Sequence, residues 1–104
     1  MEAFEFEKNR LTVQFELFND TQELIEYCLD LIESEHEDIE IYFSDRVSMI
    51  SSQHIGILMM TATGAKIKGK KLTIHCTKRL KETIRMLGGE KLHMAVREDL
   101  VLDH

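Results

Sequence analysis

Apolar and polar positions along the chain alternate with a period of two in several short stretches, and fall into a helical period between them. Residues 3 to 7, Ala-Phe-Glu-Phe-Glu, and residues 11 to 17, Leu-Thr-Val-Gln-Phe-Glu-Leu, carry the two-residue alternation of half-buried strands. The intervening Lys8-Asn9-Arg10 is short enough to join them as a hairpin. Asn19-Asp20-Thr21 then offers helix caps, and Asp20 with Glu23 three residues later resembles a capping box. In the helix that follows, Leu24, Ile25, Cys28, Leu29 and Ile32 share a face, while Glu23, Glu26, Asp30 and Glu33 point elsewhere. The acidic run 33–38 reads as a solvated turn, with His36 on the surface, and residues 39 to 43, Ile-Glu-Ile-Tyr-Phe, as a third strand.

After a short extended connection from Val47 to Ile50 comes the stretch around which the chain is organised, Ser51-Ser52-Gln53-His54-Ile55-Gly56. Two hydroxyls immediately before a helical apolar pattern suit an N-cap, because a serine oxygen accepts a bond from an orphan N–H of the first turn. The same mouth favours an added phosphate, through its free N–H groups and the positive end of the helix dipole. Along this second helix Ile55, Leu58, Met59 and Ala62 form a core stripe, and Ile57, Met60 and Thr61 leave the other side apolar too. A helix apolar most of the way round, in so small a domain, is expected to show a methionine-containing face to a partner. Gly64 inside it implies a close approach or local flexibility, and Gly69 ends it.

Residues 71 to 76, Lys-Leu-Thr-Ile-His-Cys, alternate again, with Thr73 and His75 on the outer face. Thr77 then caps a third helix with Leu80, Ile84 and Leu87 towards the core and Lys78, Lys81 and Arg85 towards water, stopped by Gly88-Gly89. His93 to Val96 reads as a last short strand before an acidic tail. The order is strand, strand, helix, strand, helix, strand, helix, strand. After the hairpin, strands alternate with helices, which requires right-handed crossovers and parallel pairing. The expectation is one α/β domain over residues 1–104, a mixed four- to five-stranded sheet with helices packed on it.

Composition narrows the function classes. The 104 residues are 43% hydrophobic and 31% charged, as in ordinary globular domains, and the net charge of −6 argues against a nucleic-acid surface. The Lys and Arg gathered in residues 66 to 85 could form only a local patch. No apolar run reaches the roughly 18–20 residues of a membrane span, and Met1-Glu2-Ala3-Phe4-Glu5 lacks the pattern of a signal peptide, so a cytoplasmic protein without membrane insertion is expected. Cys28 and Cys76 sit in apolar periodic patterns without C-x-x-C spacing and read as buried thiols.

Enzyme readings find little support. Ser52 and His54 diverge from a helix start, and no G-x-S-x-G elbow surrounds the serine. His54 as a phosphohistidine acceptor at the helix mouth lacks a motif. His75 and His93 show no metal-ligand spacing, and neither a metal nor a cofactor is expected.

The element order, the S-S-Q-H-I-G stretch opening a helix continued by Ile57-Leu58, Gly69 before strand Lys71 to Cys76, and Leu87-Gly88 closing the last helix together resemble the STAS domain family, over about residues 11 to 96. The family motif reads D-S-S-G-L-G; here Ser51 stands at its acidic position, Gln53 at the second serine and His54 at the small glycine. Phe43 stands where an aspartate usually closes the preceding strand, with Asp45 two residues later. The resemblance implies a bacterial, cytoplasmic anti-sigma-factor antagonist that works in signal transduction and transcription regulation as a phosphoprotein. Its partners would be an anti-sigma factor or related serine kinase and a PP2C-type phosphatase; separately, the apolar face of the second helix leaves a homodimer open. By position the phosphoacceptor is Ser52, with Ser51 as the alternative, and the partner-binding surface comprises Ser51, Ser52, Gln53, His54, Ile57 and Met60. The other reading the resemblance allows is a docking module in a larger signalling or transport assembly, without phosphorylation.

Overall fold

A computed structural model describes residues 3–14, 21–47, 49–89 and 100–102. The elements are β1 (Phe4–Glu7), β2 (Arg10–Val13), α1 (Thr21–Glu33), β3 (Asp38–Phe43), α2 (Ser52–Ile67), β4 (Lys71–Cys76), α3 (Lys78–Ile84), continued by a π-helical turn over Arg85–Gly89, and β5 (Leu100–Leu102). The chain is a small α/β domain. The five strands among the described residues lie in chain order, β1-β2-β3-β4-β5, with the β1–β2 hairpin antiparallel and every later neighbour parallel.

That order decides where the helices lie. Right-handed crossovers between consecutive parallel neighbours place every connecting helix on the same face of the sheet. Burial agrees: Leu11, Val13, Ile39, Ile41, Phe43, Leu72, Ile74 and Cys76 are buried under the helices, while the alternating Thr12, Glu40, Tyr42, Thr73 and His75 are only partly covered. The strand periodicity therefore separates a helix-covered face from an open polar one. Each fully buried Leu, Ile or Phe contributes about 1.5–3 kcal/mol, and this layer together with Leu24, Leu31, Leu58, Leu80 and Ile84 is what holds the domain together.

Three expectations shift. On α1, Leu29 is 44% exposed while Leu31 is fully buried, because the helix rests on the sheet through Leu24, Cys28 and Leu31 and the arc from Leu24 to Leu29 is wider than that seat. Leu87 is 41% exposed rather than in the core, since the π-helical turn from Arg85 breaks the 3.6-residue phase that carried Leu80 and Ile84 inward. The last described strand is Leu100–Leu102, in what reads as tail; the His93 to Val96 segment lies outside the described residues, as do residues 15–20 with the Asp20 cap.

α2 is the central helix of the layer, packed against α1 on one side and the π turn after α3 on the other. Gly64 allows the first contact: a Cβ there would stand 2.8 Å from Ile32 Cδ1. Close approach, not flexibility, explains the glycine. At the far end Gly69 takes φ +72°, its N–H bonding Lys66 O at 3.1 Å and the Lys70 N–H bonding Ala65 O at 2.8 Å, a Schellman closure. Lys70 Nζ then donates to the carbonyls of Ser34 and His36 at 2.6 and 2.5 Å, tying the acidic turn after α1 to the start of β4.

Candidate functional site

The mouth of α2 is held against the end of the parallel strands by a short relay. The Ser44 N–H bonds Val13 O at 2.9 Å, and the Ser44 hydroxyl donates to Gln14 O at 2.7 Å. The same oxygen accepts from the Arg46 N–H at 3.2 Å, turning the chain towards the helix. Ile50 and Ile55, on either side of the cap, are both buried in the core, the positions of a hydrophobic staple.

Ser51 is the N-cap, in extended conformation at φ −88° and ψ 167°, and Ser52 is the first helical residue. The Ser51 oxygen accepts from the His54 N–H at 3.3 Å, and the Ser51 N–H donates to His54 Nδ1 at 3.2 Å. This is a capping box in which histidine takes the place usually held by Glu or Gln. Ser51 Oγ also stands 2.9 Å from His54 Nδ1. A ring nitrogen that accepts the Ser51 N–H is unprotonated, so the neutral ring carries its proton on Nε2. That Nε2 is buried and has no hydrogen-bond partner among the described residues. Burial disfavours the charged ring and lowers the His54 pKa below the ordinary histidine value.

The six residues expected to form one surface divide into two groups. Ser51, Ser52 and Gln53 are exposed at the mouth and Met60 is 40% exposed two turns on, whereas His54 is 3% exposed and Ile57 8%. His54 is drawn inward by the cap and Ile57 is buried in the core cluster, so neither offers a side chain to a partner in this conformation. Thr61, also expected on the open side, is fully buried and donates to Ile57 O at 2.8 Å. Met49, 68% exposed just before the cap, adds an apolar side chain that strand and helix periodicity do not register. Among the described residues nothing hydrogen-bonds the Ser52 hydroxyl, while that of Ser51 is committed to the cap.

A second cluster lies on the open face of the sheet. Arg10 Nη2 bonds Glu40 Oε1 at 2.9 Å, and His75 Nε2 lies 2.8 Å from the same oxygen. Arg10 also stacks over the Tyr42 ring at 5.2 Å, and that ring lies 5.9 Å from His75. Burial pushes the Glu40 carboxyl up, but the Arg10 hydrogen bond and charge, with His75, more than reverse this and hold it below the ordinary glutamate value. The sequence places these residues 30 and more positions apart; strand register brings Arg10 opposite Glu40 and Tyr42 opposite His75. Linear spacing gave no sign of a carboxylate beside His75; the register of β3 on β4 supplies one in Glu40. Among the described residues, no three His, Cys, Asp or Glu side chains gather as metal ligands. Cys28 and Cys76 are both buried free thiols, and burial raises the Cys28 pKa to about 11, so that thiol is inert.

Among the described residues no helix is long and apolar enough to cross a membrane. Compared with models of protein families and with curated proteins, the chain matches none.

Proposed function

We propose that this chain is a cytoplasmic STAS-like interaction module whose working surface is the exposed mouth of α2, and that phosphorylation of Ser52 switches its binding to a protein partner. The observation that supports this most directly is the division of labour between adjacent serines. Ser51 holds the cap, while Ser52 presents an exposed hydroxyl at the first helical position with no hydrogen bond among the described residues. A phosphate there adds about −1.5 to −2 charges beside the helix N-terminus, where the dipole and free N–H groups tolerate it, so the fold is preserved. Its effect falls on association. A partner that buries the mouth with Met49 and Met60 would have to desolvate that phosphate, at several kcal/mol without a matching cation, and each 1.4 kcal/mol is tenfold in affinity. The inward turn of His54 also supports the reading, because the bulky residue at the family's glycine position leaves the approach to Ser52 clear.

On this reading the partner is an anti-sigma factor or related serine kinase, reset by a PP2C-type phosphatase. The test is phosphopeptide mapping of protein recovered from its native cells, followed by binding of Ser52→Asp and Ser52→Ala to whatever partner co-purifies. The expected result is phosphate on Ser52, weakened binding by Ser52→Asp and preserved binding by Ser52→Ala. Equal binding by both variants, with no phosphate under any growth condition, would leave the unphosphorylated docking module as the better account.

A further inference from the structure

We propose that the outer ridge of α2 is a homodimer interface, on which a second copy of this chain docks with the two α2 helices side by side and running in the same direction. The proposal does not depend on phosphorylation, and because both occupants would cover Met60, the dimer and the partner complex are alternative states of the same ridge. Opposite its buried stripe, α2 presents Gln53, Gly56, Met60, Thr63 and Ile67 to solvent. Their spacings of three, four, three and four residues are those of a helix-packing seam. Met60 and Ile67 supply its apolar knobs, 40% and 79% exposed. Between and beside them Gly56 and Thr63 are small, and a Cβ at Gly56 would meet nothing within 4 Å, which leaves room for the facing helix. Leu29 on α1 and Leu87 after α3, 44% and 41% exposed, widen the apolar area on the neighbouring helices.

The charges on either side of this ridge choose its occupant and its orientation. α1 carries four carboxylates, Glu23, Glu26, Asp30 and Glu33, and no base. α3 and its π turn carry Lys78, Arg79, Lys81 and Arg85 against the single acid Glu82. The layer thus runs from an acidic helix through the α2 ridge to a basic helix. A copy turned about a two-fold axis parallel to α2 brings its basic α3 over the acidic α1 and its acidic α1 over the basic α3, on both sides at once. The same surface satisfies itself twice, as an isologous interface must. An axis perpendicular to α2 would instead set acid on acid and base on base. Charge complementarity therefore favours the parallel arrangement over the antiparallel one.

Sedimentation velocity of the purified full chain over a range from micromolar to near-millimolar, at low and moderate salt, tests the proposal. The expected result is a reversible dimer whose dissociation constant rises at least tenfold in Met60→Glu and in Thr63→Glu, both exposed positions, with helix content by circular dichroism unchanged. Glu26→Lys should also weaken the dimer, and Lys78→Glu in the same chain should restore it. Gln53→Cys should cross-link to its own copy under mild oxidation, as parallel helices require, the native thiols being buried. A monomer throughout, a dimer indifferent to the ridge variants, or a Gln53→Cys variant that fails to cross-link while Gln53→Cys with Ile67→Cys does, would overturn it.

Discussion

At the scale of single residues, the pair Ser51 and His54 holds most of the chemistry of the α2 mouth. Because Ser51 and not Ser52 caps the helix, Ser51→Ala should lower stability by about 1 kcal/mol in urea denaturation, while Ser52→Ala stays within about 0.5 kcal/mol of wild type. Equal losses would mean that the two serines share the cap. His54 adds a pH dependence whose sign is set by its lowered pKa. The unfolded chain takes up a proton near pH 6.5 and the folded chain only at lower pH, so stability is full above about 6.5 and falls as the pH drops through the folded value. Protonation also removes the acceptor that holds the Ser51 N–H. His54→Gln keeps an acceptor and does not titrate; its stability should be flat between pH 7 and 5, where the wild type declines. A matching decline in the variant would assign the titration to another group. The orphaned Nε2, a buried donor whose missing bond costs about 1–3 kcal/mol, makes this cap less stable than one built on Glu or Gln. The S-x-x-H spacing was in plain view, but serine and histidine side chains three residues apart meet only if the cap falls on Ser51, and two adjacent serines left that choice open.

At the scale of elements, α2 shows how a helix apolar on nearly every side can be accommodated. One side is buried in the core through Leu58, Ala62 and Ala65, a second meets α1 through Thr61 and Gly64, and the outer ridge is left to solvent. The α1 contact can be tested by a double-mutant cycle. Gly64→Ala alone should destabilise, because helix propensity gains about 1 kcal/mol while the new methyl meets Ile32 Cδ1 in a packed site, an overpacking worth about 1–3 kcal/mol. Removing that carbon with Ile32→Val should turn the same substitution neutral or favourable, with a coupling of at least about 0.5 kcal/mol between the sites. Additive effects would show that the helices separate freely. Periodicity located α2 and its ends well, because capping and glycine signals are local. Which apolar side faced water was not local: Ile57 and Met60 are alike in the pattern, and only the tertiary packing buries the first and leaves the second exposed.

At the scale of the whole molecule, the monotonic strand order puts all the helices on one face and leaves the other to a polar network. Arg10, Glu40 and His75 come from three neighbouring strands, so their pairing ties β2, β3 and β4 across the open side. The lowered Glu40 pKa means that its share of stability is present above the ordinary glutamate value near 4.3 and is lost as the pH falls through the folded value. Glu40→Gln should remove that part of the acid limb, seen as a shallower loss of stability below about pH 4.5 in a pH titration of the urea midpoint. An unchanged acid limb would show that the network contributes nothing measurable, as many partly exposed ion pairs do. Together with His54, Glu40 predicts a domain most stable near neutrality that weakens in two steps on acidification.

The sequence by itself determined the α/β class, the hairpin start, the helix mouth at Ser51-Ser52 and, among the described residues, the positions of the three helices and of four of the five strands. Each of these rests on interactions within a few residues: the two- or 3.6-residue alternation, a hydroxyl before a helix, a glycine after one. Only the tertiary structure decided that Ser51 is the cap and Ser52 the exposed first helical residue, that His54 and Ile57 turn inward, that Leu29 and Leu87 turn outward, and that Arg10, Glu40 and His75 meet. Those outcomes depend on which element lies against which, and on the register between strands 30 residues apart. Local pattern specifies that a face is apolar; burial depends on what another part of the chain places against it.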